Sequence, residues 1–271
     1  MLDLAFLPIV ALLLLRVLWA ARSKRNYGFP ALLMVMALGD ALIHTGTPTE
    51  LLVGERLALD AIVFVMVIFG GRILPGFTGN VIGHDKVVRS GIGDKLINPA
   101  LVAVLVTDLG SPELSGMVSV VAGIVVLVRM RGWGFRAVAP HPILWVLHAG
   151  YAWIGLGLIL RGVTVAWPVL PPSASMHALT LGGLGMMTMG MMTRVSLGHT
   201  GRKLQVSKPV VVAYWLVLGA AVLRTFVDLL PGVLREPALH TVGGAWVAAF
   251  VIFFVVYLPI LIKPRVDGRP G

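Results

Sequence analysis

The chain has 271 residues, 58% hydrophobic and only 13% charged, with a formal net charge of +10 and a mean hydropathy of +0.93. A soluble domain carries about 25% charged residues, so a soluble hydrolase or dehydrogenase is excluded; no nucleophile elbow, phosphate loop or dinucleotide fingerprint occurs either. No cysteine is present, which leaves His, Met, carboxylate and backbone oxygen as the available metal ligands.

A helix needs roughly 20 apolar residues to cross a hydrocarbon core. Nine blocks approach that length and predict an all-α, polytopic membrane bundle that takes up 1–271 as one transmembrane domain. They are 3–20, 28–46, 51–70, 95–109, 113–130, 141–161, 174–195, 208–230 and 239–262. The fourth is short, because Asn98-Pro99 and Asp108 interrupt it. Met1-Leu2-Asp3 lacks the basic flank of a secretory signal, so 3–20 reads as a retained span.

Basic residues gather in every second connection: Arg22, Lys24 and Arg25, then Arg72, Lys86, Arg89 and Lys95, then Arg129, Arg131 and Arg136. The series continues with Arg194, Arg202, Lys203 and Lys208 and ends with Lys263, Arg265 and Arg269. The other connections hold only Arg56, Arg161, Arg224 and Arg235. Positively charged loops stay in the cytoplasm. The chain is therefore predicted to start outside, cross nine times and end in the cytoplasm. Such a distribution argues for a lipid bilayer as the partner and against nucleic acid.

Polar residues within apolar spans usually face the bundle interior and pair there. In the second span Asp40 and His44 lie four apart; either Asp40 orients a metal-binding imidazole, or the two form a helix-end pair in water. Arg56 with Asp60, and Arg224 with Asp228, have the same spacing and predict ion pairs within one helix. GGRILPGFTGN (70–80) predicts the end of the third span, with Gly70-Gly71 loosening the helix and Pro75 stopping it. Arg72 then sits at the cytoplasmic interface near Thr78 and Asn80, either binding an anionic group or snorkelling.

The sixth span, HPILWVLHAGYAWIGLGLIL, carries His148 about 10 Å deeper than His141. The spacing of three places Trp145, His148 and Tyr151 on one face. A neutral imidazole at that depth needs a metal, a cofactor or a hydrogen bond from another helix. The seventh span lies in MHALTLGGLGMMTMGMMTRVSLGHTGR (176–202), with His177 at its mouth and Arg194, His199 and Arg202 at its exit. His177 and Arg194 are about 25 Å apart along the helix, so one site cannot use both. His44 and His177 are predicted to partner in an outer site, and Arg72, Arg194 and His199 in an inner cluster. The methionines Met186, Met187, Met189, Met191 and Met192 point around the helix and read as packing rather than a Cu(I) site. Gly182, Gly183, Gly185 and Gly190 let helices approach closely, or leave room for a flat cofactor. His84 and His240 read as solvated loop and helix-start residues.

HALTLGG, MMTRVSLGHTGR, GGRILPGFTGN, LDLAFLPIVALLL, RNYGF and LHAGYAW, in order along nearly the whole chain, resemble the NnrS family. That resemblance implies a bacterial inner-membrane protein linked to nitric-oxide metabolism and nitrosative-stress resistance, carrying haem b and copper. The matching positions are Arg72, Pro75, Thr78, Asn80, His148, Tyr151, His177, Thr180, Arg194, His199 and Arg202, with His44 a further histidine position. It implies His148, His177, Tyr151, Arg72 and Arg194 as cofactor-binding residues and His44, His148, His177 and His199 as metal ligands. Family members typically begin with about three further spans bearing a Trp-His-Ala-His-Glu-Met motif that this chain lacks. The expectation is a short form, a split gene or a start at an internal Met, with a separate N-terminal segment or a second copy as partner. The alternative reading is a cofactor-free transporter whose charged pairs line a substrate path.

Overall fold

The computed structural model describes residues 3–167 and 169–268; the Met1-Leu2 start and Arg269 of the last basic cluster lie outside the described residues. Every apolar block is helical, and among the described residues there is no strand. A 3-10 turn, Asp3–Ala5, leads into α1 (Phe6–Ala20), followed by α2 (Gly28–Thr45), α3 (Pro48–Ile82), α4 (Gly91–Thr107) and α5 (Pro112–Met130). A short α6 (Phe135–Val138) precedes α7 (Pro142–Ala166). Then α8 (Pro172–His177) runs through a π-helical stretch, Ala178–Gly185, into α9 (Met186–His199), and α10 (Lys208–Phe226) and α11 (Gly232–Leu261) complete the bundle. Seven helical stretches are long and apolar enough to cross a membrane. The 17-residue α4 and the segmented α8–α9 stand outside that set.

Local chemistry explains where the helices start. Thr47 and Glu50 form a capping box ahead of Pro48, the Thr47 amide donating to Glu50 Oε2 at 2.6 Å. Ser90 and Ser111 cap α4 and α5 by accepting from Gly93 N and Leu114 N. Proline in the first turn of α5, α7, α8 and α10 costs no hydrogen bond there.

The largest difference from the boundaries read in the sequence is at the third block; α7 also runs on to Ala166, and α11 starts earlier, at Gly232. The third block does not stop at 70: α3 runs 35 residues, straight through Pro75. Gly71, Leu74, Pro75 and Thr78 are all buried against neighbouring helices, and Arg89 Nη2 donates to the Arg72 carbonyl at 3.4 Å. Packing on both sides of Pro75 thus carries the helix through the break, as it does for prolines inside membrane helices.

The central helix is α7, whose Leu144, Leu147, His148, Tyr151, Ile154 and Leu158 are fully enclosed. It packs on α5 through small residues: a Cβ on Gly123 would meet the Gly155 carbonyl at 2.5 Å, and one on Gly116 the Gly162 Cα at 3.3 Å. Gly39 and Gly54 bring α2 and α3 together in the same way. Toward the periphery, α1 buries only Ala11, and α11 leaves Val251, Phe254 and Val255 exposed. Apolar surface of this kind suits a lipid bilayer. The bundle has a basic end, where α3 finishes and α7 begins, and an acidic end, where α3 begins and α7 finishes, with Glu50, Glu55, Asp60, Asp108 and Glu113.

Gly71 is the tightest of these contacts, since a Cβ there would land on the Arg129 guanidinium. Gly76, one turn on, faces open space. Gly71→Ala is expected to abolish monodisperse folded protein in detergent size-exclusion, whereas Gly76→Ala should purify and melt like the parent.

Candidate functional site

Two charge networks are buried between α3, α4, α5 and α7. Toward the basic end, Arg129 of α5 is only 6% exposed. Its Nε donates to Asp94 Oδ1 of α4 at 2.5 Å, and its Nη1 to the Val67 carbonyl of α3 at 3.2 Å and to Tyr151 Oη of α7 at 3.0 Å. Tyr151 in turn donates to the Val67 carbonyl at 3.3 Å. The Trp133 ring lies under both, 5.9 Å from the guanidinium carbon and 5.0 Å from the Tyr151 ring. Gly70 and Gly71 make this possible, because side chains there would occupy the places of Tyr151 and Arg129.

His148 borders the same network, edge-on to Trp133 at 6.3 Å. Its Nδ1 is 3.0 Å from the Leu144 carbonyl, which can only accept, so Nδ1 carries the proton. Nε2 faces Thr78 Oγ1 of α3 at 3.3 Å, and the single proton of that hydroxyl is shared between Nε2 and the nearer Leu74 carbonyl at 2.9 Å. The partner that a deep imidazole requires is therefore a hydroxyl from another helix. Trp145 does not share this face: it packs on Trp215 and Tyr214 of α10 at 5.0 and 5.8 Å.

At the acidic end, Arg161 of α7 grips Asp60 of α3 with both arms, Nη2 to Oδ1 at 2.5 Å and Nη1 to Oδ2 at 2.6 Å. The same Nη1 reaches Asp108 Oδ2 at 3.4 Å, and Ser115 donates to Asp108 Oδ1. Arg161 and Ser115 line a cleft of about 210 Å³, with Leu52, Arg56, Pro112 and Thr164 among its walls. The in-helix pairs expected from spacing are thus replaced by pairs between helices. Asp60 is held by Arg161 rather than Arg56, and Asp228 by Arg235 of α11 rather than Arg224. Buried charge is satisfied best by a bidentate partner that reaches across an interface.

The other predicted residues are dispersed. His44 Nδ1 lies 3.0 Å from the Asp40 carbonyl and 3.3 Å from Asp40 Oδ1, and its Nε2 is 3.3 Å from Asp3 Oδ2, which sets it at a helix end in the α1–α2 contact. His177 is half-buried at the end of α8, beside α7 and α10. Arg72 donates to Asn26 Oδ1 at 2.7 Å and the Arg25 carbonyl at 3.3 Å and covers Phe29, which pins the α1–α2 connection. Arg194 lies over Phe77 at 3.7 Å and shares a cleft with His199 and Arg265. The expected inner cluster therefore divides: Arg194 and His199 come together, and Arg72 faces elsewhere. Asn80 bonds His84 at 2.9 Å.

The family-implied cofactors can be tested against this packing. Gly150 faces Met187, and Gly157 faces Leu179, which fixes the register of α7 against the π stretch. His148 and His177 then differ in height by roughly 16 Å at 1.5 Å per residue, so they cannot ligate one iron. The space left by Gly182, Gly183 and Gly185 is filled by Trp153, Ile154 and Trp246 rather than left for a flat ring. Among the described residues no three His, Asp or Glu side chains converge as a metal site. As packed, the residues of this chain do not fit a bis-histidine haem or a copper centre.

Sequence reasoning overlooked Arg129, Asp94, Arg161, Asp108 and Ser115 as a group. Arg129 was counted with the loop cations, although it follows Val126-Leu127-Val128 and precedes the turn. An arginine inside the last turn of an apolar block was the available signal. Removing Arg129 strands Asp94 and Tyr151, so Arg129→Met should cost about 3–5 kcal/mol, as breaking a buried pair does. Tyr151→Phe, which loses the bond from the charged guanidinium and the one to the Val67 carbonyl but leaves the Arg129–Asp94 pair in place, should cost about 1.5–3 kcal/mol. Thermal unfolding in a mild detergent ranks the two.

No curated protein and no solved structure matches the chain. A family model described as NnrS protein matches residues 1–265. With nearly the whole length covered, and with the GGRILPGFTGN, LHAGYAW and MMTRVSLGHTGR segments packed in one bundle, the chain belongs to the NnrS family.

Proposed function

We propose that the chain acts in nitric-oxide metabolism or nitrosative-stress resistance in the bacterial inner membrane. The observation that carries this reading is the family match over residues 1–265. Nitric oxide is small and uncharged and enters the bilayer, so an all-helical membrane protein meets it at high local concentration. In this reading the chain crosses nine times with its basic end in the cytoplasm. Counting α4 and the α8–α9 stretch as crossings supports that, since it keeps Lys24, Arg89, Arg131, Arg202 and Lys263 on one side.

Haem and copper belong to the proposal as cofactors of the family. His148 is closed off by its hydrogen bonds, whereas half-buried His177 and exposed His199 lie at helix ends. We place any metal contact at those helix-end histidines, completed by a second copy or a separately encoded segment. The buried networks around Arg129 and Arg161 hold α3, α4, α5 and α7 in register for such a surface. A cofactor-free transporter is the second reading, favoured by the cleft beside Arg161.

The test is a host lacking its NnrS-type gene, challenged with a nitric-oxide donor with and without this chain. A shortened growth lag is expected; an unchanged lag would overturn the reading and leave transport. On the purified chain, oxidised and dithionite-reduced spectra with copper quantification separate the cofactor question. Any Soret band should survive His148→Ala and weaken in His177→Ala or His199→Ala.

A further inference from the structure

At the acidic end of the bundle two buried carboxylates share one buried arginine. Asp60 and Asp108 are 3% and 2% exposed, and both approach the single Nη1 of Arg161, at 2.6 and 3.4 Å. From α3, Arg56 adds positive charge on the side of Asp60, and Glu55 also stands at the cleft. From α5, Ser115 donates a neutral hydroxyl to Asp108, and Glu113 is turned to Ser111 at 2.5 Å. From α8, Pro172, Ser173, Ser175 and Met176 line the cleft and carry no charge. From α7 comes Arg161, already gripping Asp60 with both arms.

Two neighbouring carboxylates in a poorly solvated site do not both stay ionised; the pair keeps one proton and titrates as a unit. Asp60, with two short bonds to the guanidinium, is the charged partner. Asp108, with one long contact and a hydroxyl donor, is the place for the proton. Ser115, which bonds Asp108, also lines the cleft and so joins this site to solvent. Metal cations suit it poorly, because the guanidinium repels them and two carboxylates with a hydroxyl supply too few oxygens.

We propose that Asp60 and Asp108 together bind one exchangeable proton, which enters and leaves through the cleft at the acidic end. On release the Asp108 carboxyl passes its proton to the Ser115 hydroxyl oxygen while that hydroxyl gives its own proton to water in the cleft it lines, and Arg161 is left facing two carboxylates; uptake reverses this. The site gives the chain a proton-binding activity at one membrane face, independent of whether nitric oxide is its substrate.

Dicyclohexylcarbodiimide, which attacks protonated carboxyls in apolar surroundings, is the probe, with the full chain in detergent and the adduct located by peptide mass spectrometry. Wild-type protein is expected to carry the label on Asp108 at mildly acidic pH, falling roughly tenfold per unit once the pair's proton titrates. Asp108→Asn should abolish it. Asp60→Asn should also abolish it although Asp108 is still present, because a lone Asp108 ionises against Arg161. Infrared difference spectra provide a second readout, should Asp60→Asn fail to fold: the protonated-carboxyl stretch must disappear in Asp108→Asn. Label confined to Glu55 or Glu113, label on Asp108 in Asp60→Asn, or identical carboxyl bands in wild type and Asp108→Asn would each overturn the proposal.

Discussion

Burying a guanidinium in an apolar bundle is expensive, and the interior of this protein is arranged around meeting that cost twice. Arg129 and Arg161 each take a carboxylate from another helix, Asp94 and Asp60, at 2.5 Å. Removing either partner would leave a bare charge in a medium that cannot solvate it. The two arginines therefore tie α3, α4, α5 and α7 into one arrangement, at two depths. Between them the seam is closed by Phe64, Ala122, Val126, Ile154 and Leu158, all buried.

Glycine decides how close the helices come. Gly70 and Gly71 are the sockets for Tyr151 and Arg129, and Gly123 lies against the Gly155 carbonyl. Between two helices in lipid, dispersion contacts and hydrogen bonds replace the hydrophobic effect as the attractive force. Between helices, small residues consequently matter at the crossing points, whereas Gly76, Gly219 and Gly243 have no neighbour to admit. The same tightness bears on cofactors. Gly182 and Gly185, which might be taken for cofactor room, are filled by Trp153 and Trp246.

The interior is closely packed: His148 is enclosed within it, whereas half-buried His177 and exposed His199 lie toward helix ends. In such an interior the Asp60–Arg161–Asp108 group is unusual, since it alone joins buried charge to a cleft among the groups described above. In a membrane, a titratable group with access from one face is a way to couple an internal event to the proton concentration on that side.

Hydropathy and loop charge were sufficient to read an all-helical membrane bundle from the sequence, because the bilayer imposes one length scale and leaves few ways to satisfy the backbone. They placed α1, α2, α5, α7, α10 and α11 to within a few residues, apart from the starts of α11 and the end of α7. The deep position of His148 was legible too, as was the need for a partner. What spacing could not give was the identity of partners across helices. Asp60 and Arg56 share one helix face by periodicity, yet Asp60 binds a residue 101 positions away. Arg129 counts as a loop cation until Gly71 and Asp94 are brought alongside it. Helix formation is set by local sequence and solvent; which polar groups meet is set by rotation and register of one helix against the next, and only tertiary packing fixes those.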